Sequence, residues 1–132
     1  MIKLRCCFIP CYERISDILR DKGLAALGDA YVNFIFSLSL SKRLGRPVGR
    51  KVDSRILSDA LKNAGLRRLL PSRIDRHDQA DAAEALIVYA WIEGKITMDE
   101  CVDLLGSNVD PREGFKRLLK EILERIDLDG EC

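Results

Sequence analysis

Apolar residues recur along most of the chain at the spacing of helical turns. Residues 12–20 predict a short first helix with one apolar side. Residues 24–44 predict a long second helix whose apolar positions cover nearly its whole circumference, a pattern typical of a buried helix. Gly45 should end this helix, because glycine readily adopts the left-handed conformation that commonly follows a helix.

The remainder of the chain divides into four more helical segments. We expect helices from Asp53 or Ser54 to about Asn63, from Asp78 to Ile92, from Thr97 onward, and from Pro111 to about Ile126. Polar capping residues or proline begin them, and Gly65 and Gly94 follow two of them. No segment alternates apolar and polar residues over the length of a strand. The sequence therefore predicts a single all-α domain over residues 1–132, a helical bundle without a sheet.

One carboxylate lies in the most apolar helix of the chain. Asp29 follows Gly28 there, and an isolated buried carboxylate costs several kcal/mol unless it is paired, protonated or bound to a cation. The glycine suggests that another backbone approaches at this point. Asp29 is then either the partner of a buried arginine, Arg5 or Arg14, or a ligand of a cation.

Glu84 interrupts a second apolar run, and Asp81 precedes it by three residues. A position near the start of a helix would explain Asp81, because acids are favourable there, but it would not explain Glu84. Two acids three residues apart share a helix face and repel each other. A divalent cation would remove that repulsion. Because carboxylate oxygens are the ligands that Mg²⁺ and Mn²⁺ prefer, we predict that Asp29, Asp81 and Glu84 bind such a cation.

The net charge of +1 hides an uneven distribution of charges. Residues 42–76 carry eleven lysines and arginines against three aspartates. Residues 77–132 carry six basic residues against fourteen acidic ones. Either these two segments pair with each other at the surface, or the basic segment binds phosphates.

Other features restrict the class of protein. No secretion signal is visible, and the longest uncharged apolar run is too short to span a membrane, so we expect a cytoplasmic protein with no membrane partner. The five cysteines are odd in number and poorly spaced for zinc. We expect free thiols, and a Cys11–Cys101 bridge stays open. His77 is the sole histidine, which argues against multi-histidine metal sites and a Cys–His nucleophile pair.

Two segments resemble the catalytic domain of ribonuclease III. Residues 24–33, LAALGDAYVN, resemble the signature helix of that family, whose core is Leu-Gly-Asp-Ala. Residues 80–87, ADAAEALI, followed by WIEG, resemble its second acidic helix. The segments between them resemble the middle helices of the family, and the order and approximate spacing agree over about residues 15–95. The resemblance is greatest to small archaeal ribonuclease III-like proteins that lack a double-stranded RNA-binding domain.

This resemblance implies a ribonuclease III-like helical bundle and a hydrolase of RNA processing. The implied activity is a Mg²⁺-dependent (or Mn²⁺-dependent) endoribonuclease acting on structured or double-stranded RNA, with Asp29, Asp81 and Glu84 as catalytic residues. It also implies a homodimer, because the family forms its RNA-binding valley from two subunits. The loops would bind the RNA backbone, since A-form RNA is recognised mainly by shape and phosphates, through Arg43, Arg46, Arg50, Lys51, Arg73 and Arg76.

Three positions depart from the family pattern. The glutamate expected four residues before the signature aspartate is Ala25, the acid expected seven residues before it is Lys22, and the aromatic plug of the dimer contact is Ala26. The lost acids weaken the case for two metal ions. They leave open a catalytically inactive ribonuclease III-like module that binds RNA or a protein. A helical nucleotide pyrophosphatase is a third candidate, although the paired Glu-rich motifs of that class are missing.

Overall fold

The structure, a computed structural model, describes residues 8–126. Six α-helices and one short 3₁₀ helix occur there: α1 (Ile15–Leu19), α2 (Lys22–Leu44), α3 (Ser54–Asn63), the 3₁₀ helix (Arg67–Leu69), α4 (Arg76–Ile92), α5 (Met98–Gly106) and α6 (Pro111–Arg125). No strand occurs between residues 8 and 126, and the predicted all-α class is confirmed.

Helix α4 lies at the centre of the bundle. It packs against α1, α2, α3 and α6, and every residue from Ala82 to Ala90 is buried. This run contains Glu84, so the chain places a carboxylate in the middle of its most enclosed helix. The core around it is built largely from aliphatic side chains and alanine, which allows neighbouring helices to approach closely.

The expectation that α2 is buried on nearly all sides is wrong. One face of α2 packs against α4 and α5. On the outer face Leu27 is 44% exposed and Phe34 is 52% exposed. Together with the exposed Ala26 and Ala30 they form an apolar row at helical spacing, here called the α2 surface stripe. Helix α2 is long and apolar enough to cross a membrane, but its inner face forms part of the bundle core.

Most predicted helix ends are confirmed, because the signals that mark them act locally. Gly45, Gly65 and Gly94 all have positive φ, at 72°, 84° and 73°. Thr97 and Glu100 form a capping box at the start of α5, in which each side chain accepts a hydrogen bond from the backbone N–H of the other residue. Short-range chemistry thus sets where these helices begin and end.

Three helix starts differ from the prediction. Helix α1 begins at Ile15 and not at residue 12. Helix α2 begins at Lys22, with Asp21 as its cap. Helix α4 begins at Arg76, because the side chain of Asp75 accepts a hydrogen bond from the backbone N–H of Asp78 at 2.8 Å. Asp81 therefore lies beyond the first turn of α4. A favourable interaction with the helix dipole, which fades within that turn, does not account for it.

The two described cysteines differ in state. Cys101 is a free, buried thiol whose sulfur accepts a hydrogen bond from the Tyr31 hydroxyl at 3.7 Å. Cys11 is disulfide-bonded, so the expectation of a free thiol is wrong at that position. A Cys11–Cys101 bridge is excluded because Cys101 is free. Cys6, Cys7 and Cys132 lie outside the described residues.

Candidate metal centre

A cavity of about 490 Å³ opens between α2, α3, α4 and the loop that precedes α3. All three predicted carboxylates line it. The full lining is Lys22, Ala25, Ala26, Asp29, Lys51, Val52, Ser54, Leu57, His77, Ala80, Asp81 and Glu84.

Helix α2 approaches the backbone of α4 most closely at Gly28. A Cβ atom placed on Gly28 would overlap the main-chain carbonyl group of Glu84. The sequence prediction that this glycine marks a close backbone approach is confirmed. Because Asp29 is the next residue, this approach brings its side chain to the same region as Glu84.

The carboxyl groups of Asp29 and Glu84 are hydrogen-bonded to each other. Glu84 is only 6% exposed. Burial, followed by the hydrogen bond to Asp29 and by the negative charges of Asp29 and Asp81, raises the pKa of Glu84 to about 8, with Lys51 opposing the shift. Near neutral pH Glu84 is therefore protonated, and its O–H group donates a hydrogen bond to the Asp29 carboxylate.

Asn33 fixes the orientation of Asp29. Its side-chain amide donates a hydrogen bond to an Asp29 carboxylate oxygen at 3.1 Å, and its own oxygen accepts one from the backbone N–H of Val52 at 2.8 Å. The same side chain thus ties Asp29 to the loop that carries Lys51. Asn33 is missing from the predicted site residues, although its position four residues after Asp29 puts both on one helix face.

Lys22 is the second residue that the site prediction missed. Its ammonium nitrogen lies 2.7 Å from an oxygen of Asp78 and 3.1 Å from an oxygen of Asp81. The hydrogen bond from Lys22 is the main cause that lowers the pKa of Asp78. The sequence shows only that Lys22 stands where the family has an acid. Its ion pairs are not visible there, because its partners lie 56 and 59 residues away along the chain.

The alternative in which Asp29 pairs with Arg14 is wrong. The Arg14 guanidinium lies 3.4 Å from Asp17 on α1, and this pair is exposed. The other arginine considered, Arg5, lies outside the described residues. Among residues 8–126 the Asp29 side chain instead contacts Asn33 and Glu84.

Within the described part of the chain, no three His, Cys, Asp or Glu side chains are grouped closely enough to hold a metal ion as they stand. Asp29 and Glu84 converge, whereas Asp81 is held by Lys22. A half-buried and a buried carboxyl group in contact form a pair of oxygen donors that one cation can bind in place of the proton on Glu84. The residues fit a divalent cation at Asp29 and Glu84, whereas Asp81 is paired with Lys22.

The predicted RNA-binding residues differ in their distance from the acids and in their contacts. Lys51 lines the cavity, next to the acids. Arg43 instead donates a hydrogen bond to the carbonyl oxygen of Asn108 at 2.9 Å, and Arg46 lies in a separate cavity beside α5. Within residues 8–126, no side-chain hydrogen bond or ion pair engages the exposed Arg46, Arg50, Arg73 and Arg76.

Pairing between the basic and acidic segments also occurs. Lys42 lies 3.4 Å from Asp103, and Arg112 lies 2.8 Å from Asp59. These ion pairs are exposed and join α2 to α5 and α3 to α6. The surface-pairing interpretation therefore holds for some residues, while the four arginines named above keep their charge available for another partner.

Comparison with known proteins supports the resemblance seen in the sequence. Residues 22–127 match a family model described as Ribonuclease III. A search of curated proteins finds no match to the chain. The family match spans most of the chain, including both acidic helices and the cavity between them, and the chain belongs to the ribonuclease III family.

Proposed function

We propose that the protein is a Mg²⁺-dependent (or Mn²⁺-dependent) endoribonuclease that acts on structured or double-stranded RNA. The observation that carries this proposal is the Asp29–Glu84 carboxyl pair, which lines a cavity at the close approach of α2 and α4. Core packing does not require two acids to meet there, whereas a cation site does. Family membership supplies the class of reaction.

The described residues have distinct parts in this reaction. Asp29, Asp81 and Glu84 would hold the cation, which when bound would activate water and stabilise the charge that develops on the scissile phosphate. Asn33 keeps the Asp29 carboxylate in one orientation. Lys51 lies at the same cavity and would bind a phosphate of the RNA backbone.

RNA would lie across the outer side of the cavity. Arg50 and Arg76 adjoin the lining residues Lys51 and His77 in sequence, and their side chains are exposed. Arg73 extends this basic surface, and Arg43 and Arg46 would contact RNA at the α5 side. Two copies of the chain would form the complete RNA-binding surface. A cytoplasmic location remains a prediction.

A second candidate is a catalytically inactive module of the same fold that binds RNA or a protein. The pairing of Lys22 with Asp81 favours it, because this contact occupies one of the three predicted ligands. Ala25 also favours the inactive module, because it stands in the cavity where the family has an acid. The two candidates differ in whether a divalent cation produces cleavage.

The test is incubation of the full chain with duplex RNA and Mg²⁺ or Mn²⁺, with products sized by gel. The proposed enzyme gives cation-dependent fragments, and Asp29→Asn lowers the rate by more than about 100-fold, since even residues that only support a metal ligand typically contribute 10–100-fold. RNA binding by this variant should be retained. Asp103→Asn, at an exposed aspartate paired with Lys42, is the matched control and should cleave normally.

The arginine surface provides the second arm of this experiment. Arg50→Glu combined with Arg76→Glu should weaken RNA binding and flatten its salt dependence, while Mn²⁺ binding persists. A parent protein that binds RNA but yields no cation-dependent product contradicts the enzyme and supports the binding module. Full cleavage by Asp29→Asn would instead show that the catalytic site lies elsewhere.

A further inference from the structure

Lys22 brings a fixed positive charge into the acidic cavity. It is the first residue of α2, and its side chain crosses to α4, where the ammonium group contacts Asp78 and Asp81 at 2.7 Å and 3.1 Å. Lys22 also lines the cavity with Asp29 and Glu84. The ammonium group thus lies at the Asp81 side of the site, whereas Asp29 and Glu84 form a contact of their own.

We propose that Lys22 is a resident cation of this site, so that the cavity takes up one divalent cation, centred on Asp29 and Glu84, and excludes a second one beside Asp81. The inference deepens the proposed function and rests on it for the identity of the ligand. Nuclease sites that use two metal ions place them about 3.5–4 Å apart. An ammonium group within hydrogen-bonding distance of Asp81 occupies the space that a second ion would need. It also neutralises the carboxylate that would bind that ion.

The charges lining the cavity point in the same direction. Three carboxylates and two lysines line it, which is a net of one negative charge when all five groups are ionised. One divalent cation turns this into one positive charge, which suits a site for a phosphodiester. A second divalent cation would raise the positive charge to three, with no further carboxylate in the lining to offset it.

The ion pairs of Lys22 with Asp78 and Asp81 are exposed to solvent. Its side chain is 61% exposed, and the side chains of Asp78 and Asp81 are 43% and 40% exposed. Exposed pairs of this kind add little to folding stability, so substitution of Lys22 should leave the fold intact. The first turn of a helix also tolerates an acid well, which makes Lys22→Glu a usable variant.

The experiment measures the number of Mn²⁺ ions bound per chain, without RNA, by calorimetry and by the electron paramagnetic resonance signal of free Mn²⁺. The parent should bind one ion. Lys22→Glu, which replaces the ammonium group with a carboxylate, should bind two. Lys22→Gln removes the charge without adding a ligand, and it should bind one ion severalfold more tightly because Asp81 is released.

Lys42→Glu is the matched control. Lys42 also lies on α2 and contacts a single aspartate, Asp103, so the variant makes the same change in net charge at a different place. It should bind one ion with the affinity of the parent. Circular dichroism of all variants checks that the helices are retained.

The proposal is overturned if the parent binds two ions, or if Lys22→Glu binds the same number as Lys42→Glu. A parent that binds no Mn²⁺ at millimolar concentration overturns both this inference and the cation dependence of the proposed function. If the parent binds one ion, Lys22→Glu binds two and neither cleaves RNA, the inference stands and the proposed activity fails. If the parent cleaves with one ion and Lys22→Glu gains none, only the inference fails.

Discussion

At the scale of single residues, Glu84 combines a buried position with a hydrogen bond to Asp29. Its pKa is raised from 4.5 to about 8, so the folded chain holds a proton at pH values where the unfolded chain has lost it. In metal-free buffer the stability linked to Glu84 is present below about pH 4.5 and is lost as the pH rises through about 8. Each pKa unit corresponds to about 1.4 kcal/mol, so the loss should amount to a few kcal/mol.

Glu84→Gln should remove this pH dependence. Chelator-treated parent and variant should have similar free energies of unfolding near pH 5, and the variant should be the more stable protein near pH 8.5. Urea unfolding across this range measures the difference, with Glu124→Gln, at an exposed residue of α6, as the control. Saturating Mn²⁺ should reverse the order, because only the parent retains the full ligand set. Parallel profiles for parent and variant would contradict the raised pKa.

The sequence predicts the acids of the site but not the residues that control them. Asp29 and Glu84 stand out because a carboxylate in an apolar helix conflicts with its surroundings. Lys22 and Asn33 are polar residues on the same face of α2 as Asp29. Nothing in the neighbouring sequence distinguishes them from ordinary surface residues. Their partners Asp81 and Val52 lie 59 and 19 residues away, so these contacts exist only once the helices and the intervening loop have packed.

At the scale of secondary structure elements, the crossing of α2 and α4 depends on one glycine. Gly28→Ala should favour α2 by about 1 kcal/mol in helix propensity. The added Cβ, however, would overlap the Glu84 carbonyl and lie 3.1 Å from the Glu84 Cβ, so the two helices would have to separate. Overpacking of this kind typically costs 1–3 kcal/mol, so we expect a net destabilisation of about 1 kcal/mol together with weaker Mn²⁺ binding.

Gly23→Ala is the control for this prediction. Gly23 lies in the first turn of the same helix, and its added Cβ would meet its nearest neighbour, an oxygen of Asp21, at an ordinary 3.5 Å. This variant should be as stable as the parent or slightly more stable. Chemical unfolding of both variants decides the matter, and equal stability of the two would show that α2 and α4 are not in tight contact at Gly28.

The predicted element boundaries succeed where one residue type marks the end. Gly45, Gly65 and Gly94 adopt the left-handed conformation that glycine favours, and Thr97 has Glu100 at the spacing of a capping box. The predicted start of α4 at Asp78 is wrong because Asp75 and Asp78 are both good caps and lie three residues apart. Only the geometry of the preceding loop selects Asp75, and a local pattern contains no information on that geometry.

At the scale of the whole molecule, the α2 surface stripe lies beside the cavity that Asp29 and Glu84 line. Ala26 belongs to both, and Leu27, Ala30 and Phe34 continue the stripe along the exposed side of α2. The apolar circumference of this helix in the sequence predicts more apolar surface than one small bundle needs, and therefore a two-fold dimer formed partly by this helix. The family to which the chain belongs forms dimers, and a two-fold contact through the stripe would cover exposed apolar side chains while bringing two cavities to one surface.

A charge placed in the stripe should therefore prevent association. Phe34→Lys should shift the parent from dimer to monomer in sedimentation at micromolar concentration, because a buried lysine would face its own copy across the two-fold contact. Val109→Lys is the control, since Val109 is 85% exposed in the α5–α6 loop, away from the stripe, and it should remain dimeric. Mn²⁺ binding should be unchanged in both, whereas affinity for duplex RNA should fall only in Phe34→Lys. A parent that sediments as a monomer, or a dimeric Phe34→Lys, would rule out the stripe as the contact and remove the composite RNA-binding surface.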